Sequence, residues 1–372
     1  MYRLNVFLVA FAAAGILCDS PAISDFNVHA DVSARGTVKQ GSSLLEPRAS
    51  HSATLLPDGR VLIAGGMRRN QDFYSSAELY EPATGKFQAT GSMAVARVGH
   101  AAVLLLSGKV LIVGGWVGHE STDTVELYDP ATGKFAALPK MSVRRGRPCA
   151  TLLNSGDVLI TGGGDHDSPG GVDSAEVFHT ATNKFEALSP MHAARIAQTA
   201  TVLNDGRVLI VGGRGDTVTA TAELYDPATK RFTLTGSMQT ARYKHTAGLL
   251  SDGRVLIAGG SDDRDWRGAM NSAEIYDPRT GSFSAASSLN DSRFKLPEQA
   301  VQLRSGLILV AGGSKLVEVY DPATGKFLIA AGQMNDARHY MTETKLGDGS
   351  VLLTGGYPGN DQATGETWIY HP

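Results

Sequence analysis

The chain has 372 residues, 42% of them hydrophobic, so it can bury a core, while its length alone leaves one large or two ordinary domains open. Lys and Arg number 34 against 37 Asp and Glu, and the net charge of -3 excludes a general electrostatic drive toward nucleic acid or anionic lipid. With 43 Gly and only 7% aromatic residues, the composition suits many short strands joined by tight turns rather than a helical fold.

At the N-terminus Arg3 precedes an apolar run from Leu4 to Leu17, and Ser20-Pro21-Ala22 offers small residues for cleavage. Residues 1–22 therefore read as a signal peptide for a secreted, periplasmic or cell-surface protein, and residues 23–35 as a linker. The run is too short to span a bilayer, so no transmembrane segment is expected in the mature chain. Lipidation at Cys18 is the weaker alternative, because Gly15-Ile16-Leu17-Cys18 is a poor lipobox. Cys18 and Cys149 are the only cysteines, and cleavage after Ala22 leaves one, so packing rather than a disulfide framework must hold the fold.

From residue 36 onward one unit repeats. Gly-Gly pairs begin at Gly65, Gly114, Gly162, Gly212, Gly259, Gly312 and Gly355, spaced 49, 48, 50, 47, 53 and 43 residues apart. An Arg precedes each pair, at Arg48, Arg97, Arg145, Arg195, Arg242, Arg293 and Arg338, by 17 residues in six copies and by 19 in the sixth. Within a copy, a first strand runs from the Arg to a tight turn such as Asp58-Gly59 or Ser155-Gly156, whose residues tolerate the positive φ a hairpin needs. The second strand is a continuous apolar run such as Val61-Leu62-Ile63-Ala64, which implies burial on both faces. A third strand of the Glu78-Leu79-Tyr80 kind follows, and the fourth starts at Phe87, Phe135, Phe185, Phe232, Phe283 or Phe327. Seven copies predict an all-β, seven-bladed β-propeller of four-stranded antiparallel blades over residues 36–372.

The last copy ends at Ile369-Tyr370-His371-Pro372, its third strand. Upstream of the first copy, Val38 and Leu44 lie 10 and 4 residues before Arg48, in the register of Phe87 and Met93 before Arg97. The N-terminal segment Gly36 to Ser43 is accordingly predicted to supply the fourth strand of blade seven, closing the ring and removing an exposed edge.

These residues resemble the Kelch repeat: a start of the Arg-x-x-His kind, an apolar strand ending in Gly-Gly, a Glu-x-Tyr-Asp-Pro strand and an aromatic strand ending near Met, with Phe where the family usually has Trp. The Met-x-x-Ala-Arg and Asp-Gly-Arg-Val-Leu-Ile pieces are also similar to the propeller of galactose oxidase and related copper-radical oxidases. That chemistry would need two Tyr, two His and a Tyr-linked Cys. Cys149 stands at a strand entrance, but blade four offers Ile196, Ala197 and Gln198 there, and the adjacent Tyr-His pair is missing.

Connections into the first strands and loops leaving the second strands share one face of such a disc. The candidate ligand-binding residues on it are Tyr74, Trp116, His119, Arg147, Tyr243, Lys244, Trp266, Arg267, Glu298, Tyr340 and Tyr357, aromatics beside polar groups that suit sugar stacking or peptide anchoring. Fourteen residues before the Gly-Gly pairs lie His51, His100, Pro148, Gln198, His245, Glu298 and Met341. Three His and a Glu are metal-ligand types, but they come from different blades around a channel, whereas ligands must converge within about 2 Å of an ion. Neither a metal nor another cofactor is expected, and Asp165-His166-Asp167 matches no calcium loop. The Arg ring and the third-strand Glu recur in nearly every blade, which points to structure rather than chemistry. The resulting expectation is an exported, monomeric, non-catalytic scaffold for a protein or glycan ligand. The alternatives are a periplasmic sugar epimerase or mutarotase and, further off, a copper-radical oxidase-like enzyme.

Overall fold

A computed structural model describes residues 35–165, 170–359 and 362–372; the predicted signal peptide with Cys18 and nearly all of the predicted linker lie outside them, as do His166 and Asp167. Among the described residues there are seven four-stranded antiparallel sheets and two short two-stranded hairpins, Met67–Arg69 with Asp72–Phe73 and Trp116–Val117 with Glu120–Ser121. The helical structure among these residues is one 3₁₀ turn, Asp265–Gly268.

Blade one is representative. Its strands run inside to outside as Ser52–Leu55, Val61–Ala64, Ala77–Glu81 and Lys86–Ala89. The second strand is buried at all four positions, because its two faces pack against the sheets on either side. On the outer pair, the Tyr80 ring packs tilted against Phe87 at a ring separation of 4.8 Å, and an equivalent aromatic pair, Phe178 with Phe185 in blade three, recurs in the next five blades at 4.8–5.0 Å. Leu44, Met93, Met141, Met191, Met238, Leu289 and Met334, each four residues before a repeat Arg, are buried between blades.

The repeat Arg residues are buried under the blades. Arg195 donates from Nη1 to Gly212 O (2.7 Å) and Thr221 O (3.0 Å), and from Nη2 to Thr221 Oγ1 (2.8 Å) and Glu223 Oε1 (3.0 Å). Glu223 in turn accepts the backbone N–H of His192, in the segment arriving from the previous blade (2.8 Å). The first six blades repeat this Arg–Glu link. In blade seven Trp368 takes the Glu position; Arg338 stacks over its ring at 5.1 Å and pairs instead with Glu366. Blade six departs further, since its inner strand is only Val301–Gln302. There the carboxylate of Glu343 reaches in from blade seven and accepts the N–H of Ala311 at 2.7 Å.

The ring closes as the repeat register required. Thr37–Gln40 pairs antiparallel with Thr367–His371, Val38 opposite Tyr370, and forms the outermost strand of blade seven. The ordered strand is shorter than the 36–43 span expected, but the flanking residues keep bonding, Gly41 N–H to Thr367 O at 2.9 Å and Leu44 N–H to Gly365 O at 2.8 Å.

Candidate functional site

The two residues after each repeat Arg carry the chain to the mouth of the central channel. The second of them is Ser50, Gly99, Arg147, Ala197, Lys244, Lys295 or Tyr340, and all seven adopt left-handed φ between 51° and 60°. Backbone hydrogen bonds run from blade to blade along this ring: Ser50 N–H to Tyr340 O (2.9 Å), Gly99 to Ser50 (3.0 Å), Arg147 to Gly99 (2.8 Å), Lys244 to Ala197 (3.0 Å) and Tyr340 to Lys295 (2.8 Å). A left-handed non-Gly residue costs about 1–2 kcal/mol, so six such positions persist only because the ring over-determines them. Their side chains differ in every blade but one pair, which makes the ring a uniform frame carrying a non-uniform surface.

Below the mouth lies a cavity of about 540 Å³, walled by inner-strand residues including Ala53, Ala102, Leu104 and Leu152 and carrying Arg147, Glu298 and Glu343 among its polar groups. The Arg147 guanidinium lies 3.8 Å from the Tyr340 ring centre and donates from Nη2 to Ser50 Oγ at 2.9 Å. Beside it, Trp116 lies flat on Gly146, where a Cβ would fall 2.0 Å from the indole, so only Gly lets the indole approach. Glu298 opens to the lumen but is walled in by protein, and this enclosure holds its carboxyl up to about 7, against the opposing pulls of Arg147 and the Cys149 thiol. The buried Cys149 Sγ is 3.3 Å from Gln198 O and 3.6 Å from Glu298 Oε2, and burial first, then the Glu298 charge, raises its pKa well above the ordinary thiol value.

A second cluster adjoins the mouth on the blade five to seven side. Asp265 Oδ1 accepts from Tyr243 OH (2.8 Å) and Lys244 Nζ (2.6 Å), while Lys295 Nζ sits 4.0 Å from Asp265 Oδ2 and 4.0 Å from the Trp266 ring centre, donating to Tyr357 OH at 3.1 Å. Phe294, Tyr340 and Tyr357 complete an aromatic box about the Lys295 ammonium.

Of the residues singled out in the sequence, Arg147, Tyr340 and Glu298 thus meet at the cavity, Trp116 lies outside its lining against Gly146, and Tyr243, Lys244, Trp266 and Tyr357 meet in the adjoining cluster. Tyr243 and Tyr357 are buried there and act as supports, while Trp266 remains 44% exposed. The structure does not bring Tyr74, His119 or Arg267 to either. Tyr74 packs under Arg48, His119 is exposed at the tip of the Trp116–Ser121 hairpin, and Arg267 is exposed on the 3₁₀ turn. Lys295, Ser50 and Glu343 were missed. The first two were open to detection as the residues two places after a repeat Arg, a position equivalent to Arg147 and Lys244.

The inner His residues serve the frame. His51 Nε2 bonds the hydroxyls of Thr342 (3.1 Å) and Thr354 (2.9 Å), His100 that of Ser52 (2.9 Å) and His245 that of Thr199 (3.0 Å), each joining a blade to the one before it. Burial, with the repeat Arg nearby, lowers all three to about 3. Between about pH 3 and the ordinary value of 6.5 the unfolded chain therefore binds more protons than the folded one, so stability falls as pH drops through that window, by up to about 1.4 kcal/mol per pH unit for each His. Glu343, raised to about 8 by burial, acts with the opposite sign above its ordinary 4.5 and offsets part of the slope. Gln198, at the equivalent place in blade four, donates to Thr161 O at 3.0 Å without titrating. His245→Gln is accordingly expected to make stability less steep in pH between 6 and 4.5, by about 1.4 kcal/mol per unit. Urea denaturation at several pH values checks this, and an unchanged slope counts against the neutral, buried imidazole.

The Kelch motif matches residues 97–142 and 242–290, that is, blades two and five. No curated protein matches the chain. Among solved structures, one described as a novel fungal alcohol oxidase with catalytic diversity among the AA5 family, in complex with copper, is similar with a TM-score of 0.73 at 18% identity, over 90% of this chain and 76% of that one. At that identity the likeness establishes the fold alone. The residues here do not fit a copper ion. The inner His Nε2 atoms are engaged by hydroxyls, Tyr243 is held by Asp265, the Cys149 thiol faces Glu298, and among the described residues no three His, Cys, Asp or Glu side chains converge to hold an ion. The chain is thus a seven-bladed β-propeller that carries the Kelch motif in two blades, with the other five built on the same Arg and Gly-Gly plan.

Proposed function

We propose that the protein is a non-catalytic binding scaffold that takes a carbohydrate-sized polar ligand at the channel mouth. The observation that carries this reading is the cavity of about 540 Å³ with Arg147, Tyr340 and Glu298 at its opening, inside the 300–1,000 Å³ range of small-ligand sites. Its aromatic faces suit sugar rings, and its polar groups suit hydroxyls. A glycan extending from the cavity would cross Trp116 on the surrounding face. Action outside the cytoplasm belongs to the same reading and rests on Arg3, the Leu4 to Leu17 run and Ser20-Pro21-Ala22.

Glu298 favours a second reading, since a carboxyl held near 7 beside an Arg could exchange protons with a sugar, as an epimerase or mutarotase requires. A glycan array followed by calorimetry tests the first reading. Tyr340→Ala and Trp116→Ala are each expected to weaken the ligand found by about tenfold, or about 1.4 kcal/mol. Binding untouched by both substitutions refutes the assignment to the mouth. Anomer or epimer exchange accelerated by the protein and abolished in Glu298→Gln favours the second.

A further inference from the structure

Building on the cavity reading above, we infer that the ligand is acidic: a sugar carboxylate of monosaccharide size, anchored by Arg147. Charge bookkeeping inside the cavity leads to this. Arg147 is the only Lys or Arg among its lining residues. The repeat arginines each have a carboxylate, as Arg195 has Glu223, and Lys244 at the mouth has Asp265. Arg147 has none within ion-pair distance among the described residues; the one hydrogen bond of its guanidinium is to the neutral Ser50 hydroxyl, and its stacking partner is a phenol ring. Of five guanidinium N–H groups, one is used. A planar donor set with open N–H groups matches a carboxylate in two-point fashion.

The cavity acids do not supply the missing charge. Glu298 lies beyond ion-pair distance of Arg147 and contacts Cys149, and Glu343 is turned to the Ala311 N–H of blade six. Burial also raises the carboxyls of both, Glu298 to about 7 and Glu343 to about 8, so neither carries a full negative charge at pH 7.

Arg147 is also held in place before any ligand arrives. Its backbone is in the left-handed region at φ 53° and tied to Gly99 O at 2.8 Å, and its head is fixed between Ser50 and Tyr340. A long, flexible side chain ordered in advance loses less entropy on binding, which is where such an anchor gains affinity. Other polar groups of the lining, Glu298 and Gln299 among them, suit the hydroxyls of a polyol rather than a second anion.

The test compares matched pairs on the full-length protein by calorimetry: glucuronate with glucose, galacturonate with galactose, mannuronate with mannose. The expected result is at least one pair in which the acid binds tenfold or more tightly than its neutral partner. In Arg147→Gln that ratio is expected to fall to about one, and in Ser50→Ala, which frees the head without removing it, to fall partway. A thermal melt confirms folding of both variants. Equal binding of acid and neutral sugars by the wild type overturns the inference and leaves the cavity reading standing. Binding of no sugar, acidic or neutral, overturns both. A preference for acid that survives in Arg147→Gln places the anion elsewhere and overturns the role of Arg147.

Discussion

Arg195→Ala is expected to cost about 3–5 kcal/mol of folding stability, seen as a lower urea midpoint, although the residue is remote from any ligand. Its guanidinium is fully buried and satisfies two backbone carbonyls, a hydroxyl and Glu223. Truncation leaves those acceptors in a space that water does not reach, and leaves Glu223 as a buried carboxylate supported by the backbone N–H groups of His192 and Ala193 and by the His192 ring. The size of the loss comes from the orphaned partners rather than from the attraction itself. Replacing both residues, as Arg195→Met with Glu223→Gln, is expected to recover part of it, because the buried charge is gone while the amide still accepts from the backbone. Arg195→Ala with an unchanged midpoint would refute the role given to the whole Arg ring.

Removing residues 1–44 is expected to cost several kcal/mol, a large share of the 5–15 kcal/mol typical of a domain. The deletion takes away the Thr37–Gln40 ladder, the bonds between Val38 N–H and Ala331 O (2.7 Å) and between Ala331 N–H and Gly36 O (2.9 Å), and the buried side chains of Val38 and Leu44. At about 1 kcal/mol per hydrogen bond and 1.5–3 kcal/mol per buried aliphatic side chain, the losses add quickly. They also bare the Thr367–His371 strand as a free edge, so self-association on size-exclusion chromatography should accompany the lower melting temperature. A truncated chain that melts with the full-length chain and stays monodisperse would mean that blade seven stands without its N-terminal strand.

The number of blades, their strands and the closing register were legible in the sequence because each rests on short-range physics repeated seven times. Gly65 and Gly66 illustrate this: both need positive φ, at 62° and 93°, and a Cβ on either would fall 2.8 Å from a backbone carbonyl, of Arg97 and Ala49 respectively. Such a constraint writes one residue type at one spacing, and a period of about 48 residues follows. Deviations from the period were legible only as deviations. The 19-residue offset marked blade six, and Trp368 marked blade seven, but that Glu343 and Glu366 step in was not readable, because neither holds the repeat position.

The mouth and its chemistry were decided by the tertiary structure. Cys149 and Glu298, 149 residues apart, meet across the channel, as do Arg147 and Tyr340. No local pattern encodes those meetings, since each side chain sits on its own blade and its neighbours there are set by where the ring places the other blades. The same distinction holds for charge. A sequence lists Glu298 and Arg147 as one anion and one cation, whereas their setting in the ring raises the carboxyl of the first to about 7 and leaves the second without a counter-ion among the described residues, because the energy of a charge depends on the water and partners around it.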